Sequence, residues 1–74
     1  MANVQTTDIV LAATLKVKGY KLDQIEKDGK RGVFCFAEVP DIELAEFDLG
    51  NTLVEPVALN NAVKALTTAI KRIL

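Results

Sequence analysis

The sequence predicts a small α+β domain laid out as helix, β-hairpin, short helix and long C-terminal helix. Three observations carry that prediction. Apolar residues recur at helical spacing near both ends of the chain. Between them lies a compact β-favouring run, Val33-Phe34-Cys35-Phe36-Ala37, and ahead of it stands Asp28-Gly29, whose residues tolerate the positive φ of a hairpin turn. With 74 residues and no internal repeat or linker, residues 1–74 form one domain.

The first helix begins at Thr6-Thr7-Asp8, where a threonine oxygen caps free amides and Asp8 suits the positive end of the helix. It is expected to run to about Lys18, with Gly19 supplying the left-handed residue that ends it. Asp8, Leu11, Ala12 and Leu15 define one stripe, yet Ile9, Val10, Ala13 and Val17 are apolar as well. A helix apolar nearly all round needs cover on more than one side, and a second chain is one source of it.

Strands are expected at about 20–26 and 32–39. Tyr20 and Leu22 alternate with Lys21 and Asp23, and a polar run Glu26-Lys27-Asp28-Gly29-Lys30-Arg31 makes the turn. The second strand is apolar on both faces, so it is either covered on both or flanked by further strands. A lone hairpin is marginal, so it must pack on the helices or pair edge to edge across a dimer. Pro40-Asp41 opens a short helix over 41–49, on which Ile42, Ala45 and Leu49 share a face, and Gly50 follows it. Asn51 to Glu55 reads as an extended connector, with a short extra strand at Thr52–Val54 as an option. Pro56 suits a first helical turn. The last helix, 56–73, carries Leu59, Val63, Leu66, Ile70 and Ile73 in a 4-3-4-3 seam. That seam packs either on the hairpin of its own chain or as an oligomer seam on another helix.

Size narrows how such a chain is held together. Small domains draw on disulfides, structural metals or association. Cys35 is the only cysteine and histidine is absent, which leaves no intrachain disulfide and too few ligands for common zinc sites. Half of the residues are hydrophobic, and the mean hydropathy is +0.23. A chain this small leaves much apolar area in water when alone, so a homodimer is expected.

A net charge of −1 gives no overall pull toward nucleic acid or anionic membrane. The charges are segregated, however: residues 38–56 hold six acids and no base, and residues 57–74 hold three bases and no acid. Within the acidic block, Glu43, Glu46 and Asp48 are the candidate partner-binding residues, against the alternative of a plain solvated helix face. Lys27, Lys30 and Arg31 at the hairpin tip are the candidate anion-binding residues, against an ordinary solvated turn. Cys35, between two phenylalanines in a strand, reads as a buried and inert thiol. Without histidine the usual triads are absent, no glycine spacing cradles phosphate, and no pair of acids is marked as catalytic. No catalytic, cofactor-binding or metal-binding residue is expected. Met1-Ala2-Asn3-Val4-Gln5 lacks a basic n-region and Ile9–Ala13 is the longest apolar run, so a cytoplasmic chain is expected.

The order of motifs adds a resemblance. Thr6-Thr7-Asp8, Leu11-Ala12, Leu15 and Lys18-Gly19-Tyr20-Lys21-Leu22 are followed by Lys30-Arg31-Gly32 with Phe34 and Phe36. The chain then closes with Glu55-Pro56, Leu59, Asn61-Ala62 and Leu66. This order resembles a small family of uncharacterised domains found in bacteria and their phages, and it spans about the whole chain. The chain departs at Glu55, where the family pattern has Asp as the helix cap, and in lacking an aromatic pair at the end of the acidic helix. The resemblance implies a helix, hairpin, helix, helix layout and a phage or prophage origin, and no activity.

The functional expectation is a non-catalytic protein-binding or accessory module, homodimeric and carried by a phage or mobile element, that modulates a host protein complex. One alternative is a nucleic-acid-associated regulator using Lys16, Lys18, Lys27, Lys30 and Arg31. A second is an anti-defence protein that binds a host complex, or a nucleotide at a subunit interface.

Overall fold

Nine residues from Arg31 to Val39 form the central strand of the molecule, whose computed structural model describes residues 2–29, 31–50 and 52–73. The elements are β1 (Ala2–Thr6), α1 (Ile9–Val17), β2 (Leu22–Asp28), β3 (Arg31–Val39), α2 (Asp41–Asp48) and α3 (Pro56–Ile73). The α+β class and the helix–hairpin–helix–helix order both hold. One element is additional: β1 pairs antiparallel with β3, giving a three-stranded sheet of order β1-β3-β2. β3 thus has a strand on each side, the second of the two settings its two-sided apolar pattern allowed.

Two bulges set which residues face the core. From Ala2 to Val4 is two steps on β1, while their partners Val39 and Phe36 are three steps apart on β3. The extra β3 residue falls beside Glu38, which adopts φ 58, a left-handed conformation that side chains resist. It turns Val39 onto the same face as Phe34 and Phe36, where a regular strand would have placed Glu38. On β2, Leu22 and Gln24 oppose the adjacent residues Phe36 and Cys35, a second bulge that lets Leu22 and Ile25 both reach the core. The turn does not centre on Asp28-Gly29, because Asp28 still pairs with Arg31. Gly29 at φ 63 supplies the positive φ that a primed turn needs at its first central position.

The core is built from Val4, Phe34, Phe36 and Val39 of the sheet, Ala12, Ala13 and Leu15 of α1, and Leu66 of α3. Complete burial of each larger side chain contributes about 2 kcal/mol. Helices α1 and α3 pack against each other on one face of the sheet, so the broad apolar surface of α1 is covered by its own chain on two sides. The small residue Gly32 makes close approach by α3 feasible: a Cβ there would lie 2.8 Å from Ile70 Cγ1. The opposite sheet face carries Val33, Cys35 and Ala37, with Gln5 and Gln24 flanking Cys35.

The helix ends refine the sequence reading. Asp8 itself caps α1, its Oδ1 accepting from the amides of Val10 at 2.9 Å and Leu11 at 3.3 Å. Thr6 Oγ1 accepts the Asp8 amide instead of capping the helix. Gly19, at φ 98, ends the helix as expected. Glu55 caps α3 through both carboxylate oxygens, at 3.1 Å from the Val57 amide and 2.6 Å from that of Ala58. Residues 52–55 form no strand, and Asn51 lies outside the described residues.

Helix α2 is oriented differently from its apolar spacing. The face of Ile42, Ala45 and Leu49 points to solvent, with Ile42 62% and Leu49 73% exposed. Glu43, Leu44 and Phe47 turn inward instead. The reason is a polar anchor: Glu43 reaches Lys18 and Tyr20 at the α1–β2 junction, which fixes the rotation of a helix that has no fully buried residue.

Candidate functional site

The three predicted sets of site residues have three different fates. In the acidic set, Glu43 is engaged within the chain. Its carboxylate accepts from Lys18 Nζ at 2.6 Å and from the Tyr20 hydroxyl at 3.1 Å. The hydrogen bond from Lys18, opposed by partial burial, holds Glu43 below the ordinary carboxylate pKa. The same bond raises Lys18, with Glu46 adding a smaller contribution. Partial burial, then the bond to Glu43, raises the pKa of Tyr20. Glu43 is thus an intramolecular anchor, and Lys18 is withdrawn from the basic set proposed for nucleic acid. Glu46 and Asp48 remain exposed.

In the seam, Leu66 is buried and Leu59, Val63 and Ile70 pack around the core of their own chain. The intrachain alternative describes these four. Ile73, beyond them, is 44% exposed. In the basic set, Lys27 and Arg31 are exposed at the hairpin tip, while Lys30 lies outside the described residues. The fold brings α3 to this tip. Gly32, paired with Lys27, meets Ile70 of α3.

The structure adds a site that the sequence did not mark. A groove of about 180 Å³ opens between α1, the end of α2 and the start of α3. Val10 and Thr14 form one wall, Phe47 and Gly50 another, and Thr52, Val54 and Leu59 the floor and far side. Its lining is largely apolar, and Val10 is 46% exposed. Glu46 and Asp48 flank Phe47 in sequence and are exposed. Thr52 keeps a buried hydroxyl oxygen with no hydrogen-bond partner among the described residues. The only sequence sign of the groove was the surplus of apolar residues on α1. It could not be located, because its walls come from segments some forty residues apart.

On the bare sheet face, a second depression of about 310 Å³ is lined mainly by polar side chains, among them Asn3, Gln5, Asp23 and Gln24, with Cys35 at its base. Burial, and then nearby Glu26, raise the pKa of the Cys35 thiol, so the thiol form is favoured. Among the described residues no group of three metal-ligating side chains converges, and no helix is long and apolar enough to cross a membrane. Comparison with protein-family models, curated proteins and solved structures found no match in any of the three.

Proposed function

We propose that this domain acts by binding protein, without catalysis, and that the groove between α1, the α2 end and the α3 start is its docking surface. The observation that carries the reading is the apolar lining of that groove, by Val10, Phe47, Val54 and Leu59. Val10 among them is 46% exposed. Apolar surface gathered around a concavity, rather than scattered, marks a place where association removes area from water. Glu46 and Asp48, exposed on either side of Phe47 in sequence, favour a partner segment that offers an apolar side chain flanked by bases. Homodimerisation fits such a surface, and so does a role as an accessory to a host complex for a chain of the phage or prophage origin that the resemblance implies.

The test is a nuclear magnetic resonance titration with a synthetic helical peptide that carries one apolar face and lysines beside it. Saturable shifts confined to Val10, Phe47, Gly50 and Leu59 would support the groove. No shifts, or shifts confined to the hairpin tip, would refute it.

A further inference from the structure

We infer that the hollow on the bare face of the sheet is a second binding site, independent of the docking groove, and that it takes a primary alkylammonium group. The register explains why a hollow forms there. Cys35 of the central strand stands opposite Gln5 of β1 on one side and Gln24 of β2 on the other. Neighbouring strands lie about 4.8 Å apart, so the two glutamine backbones are roughly 10 Å apart with a short side chain between them. The β2 bulge shapes the same place. Asp23 is the extra residue of that bulge, and it lines the hollow together with Gln24. Asn3 adds a third carboxamide from β1, and the space enclosed is about 310 Å³.

The chemistry of the walls defines the ligand. Asn3, Gln5 and Gln24 offer amide oxygens that accept from N–H donors, and Asp23 offers a carboxylate. A second carboxylate stands at the margin, since Gln24 Nε2 donates to Glu26 Oε1. Both acids make themselves felt at the base: after burial, Glu26 and then Asp23 raise the pKa of the Cys35 thiol. No basic side chain lines the hollow among the described residues. Arg31 shares this face but lies four residues along β3 from Cys35, about 13 Å away, and pairs with Asp28. A cation with N–H donors therefore suits the walls better than an anion. A bare metal ion would need converging ligands that the described residues do not offer. The base is less polar than the walls: Cys35 is 8% exposed, and half-buried Val33 and Ala37 precede and follow it on the same face. An ammonium on a methylene stem matches both parts, with three donors for the walls and an apolar stem for the floor.

A nuclear magnetic resonance titration of the whole chain with 1,5-diaminopentane tests this. Saturable shifts are expected at the side-chain amides of Asn3, Gln5 and Gln24 and at the Cys35 backbone, with none from 1-pentanol, which has the stem without the charge. The D23N/E26Q variant should bind about tenfold more weakly, since two exposed charge pairs are lost. Cys35→Leu raises the base without altering charge and should abolish binding. Asp23 and Glu26 are exposed, so the first variant keeps its fold, and an unchanged spectrum away from the sheet face verifies this for both. Nα-acetyl-lysine amide separates two sources of the same group: binding equal to that of the diamine assigns a lysine side chain, and much weaker binding assigns a free amine. No shifts at the hollow, equal shifts with 1-pentanol, shifts spread over every surface acid, or full affinity in D23N/E26Q would each overturn the inference. Shifts at Val10 and Phe47 report the docking groove and those at Gln5 and Gln24 this hollow, so failure of one site is read separately from failure of the other.

Discussion

Replacing Gly32 with alanine tests how closely α3 is seated on the sheet. The added Cβ would lie 2.8 Å from Ile70 Cγ1 and 3.1 Å from Cδ1, while its 3.5 Å approach to Cγ2 is ordinary contact. Carbon atoms rest at about 3.5–4.0 Å, so the first of these is too short by roughly 0.7 Å or more. Ile70 is β-branched and cannot swing Cγ1 aside without leaving its rotamer, so α3 must lift or the side chain must strain. Overpacking of this kind costs about 1–3 kcal/mol. Against it, loss of glycine's freedom in the unfolded chain returns about 0.4–1 kcal/mol, because Gly32 does not need a positive φ. The net expectation is destabilisation by about 1 kcal/mol, a fall of roughly 4–8 °C in Tm for a domain of this size. Thermal unfolding by circular dichroism at fixed protein concentration reads it. The cycle with Ile70→Ala makes the cause specific: the double variant should be less destabilised than the sum of the two by about 1 kcal/mol. A neutral or stabilising Gly32→Ala, or strict additivity with Ile70→Ala, would refute the close seating of the helix.

The remaining expectations concern the caps, the α2 anchor and the thiol. Asp8→Ala removes the acceptor for two first-turn amides and should cost about 1 kcal/mol, read from the urea midpoint. Glu43 ionises more readily folded than unfolded. Its stabilisation is therefore fully present above the unfolded pKa near ~4.3 and is lost as pH falls through the lowered folded value. Glu43→Gln should remove that acid-side dependence from urea midpoints measured across the acidic range, and an unchanged profile would sink the anchor. Lys18 has the opposite sign: its contribution is complete below ~10.4 and is lost as pH rises through its raised folded value, so Lys18→Met should flatten the alkaline limb. Cys35 is buried with a raised pKa, so a thiol reagent should react slowly with the folded protein and at the rate of a free thiol in urea.

Much of the fold was legible because local chemistry and tertiary packing agree. The α3 bounds follow from Pro56 and the apolar period, and β3 declares its central place by being apolar on both faces. What stayed hidden depends on distant partners. β1 has one strong apolar residue, Val4, and its pairing with β3 is written nowhere near it. The rotation of α2 was misread because its apolar spacing competes with a single carboxylate, and the bonds of Glu43 to Lys18 and Tyr20 prevailed. For the same reason Glu43 was grouped with Glu46 and Asp48 as a surface acid. The basic tip was legible through Lys27 and Arg31, but not the approach of α3 to it, which depends on the Gly32–Ile70 contact.

Helix α2 forms one wall of the groove through Phe47, yet it has no fully buried residue and is tied down chiefly by Glu43 and by the packing of Leu44. Elements with so little buried surface open on their own, at a small fraction of the free energy needed to unfold the core. The amides of α2 are therefore expected to exchange hydrogen with solvent earlier than those of α1 or α3. A molecule seated in the groove would have to hold α2 closed, and its binding energy would be reduced by the cost of that ordering. The retardation of α2 exchange on docking then measures the same equilibrium as the binding itself, from the other side. Loosening the Glu43 anchor should weaken any partner of the groove without altering a single residue that partner touches.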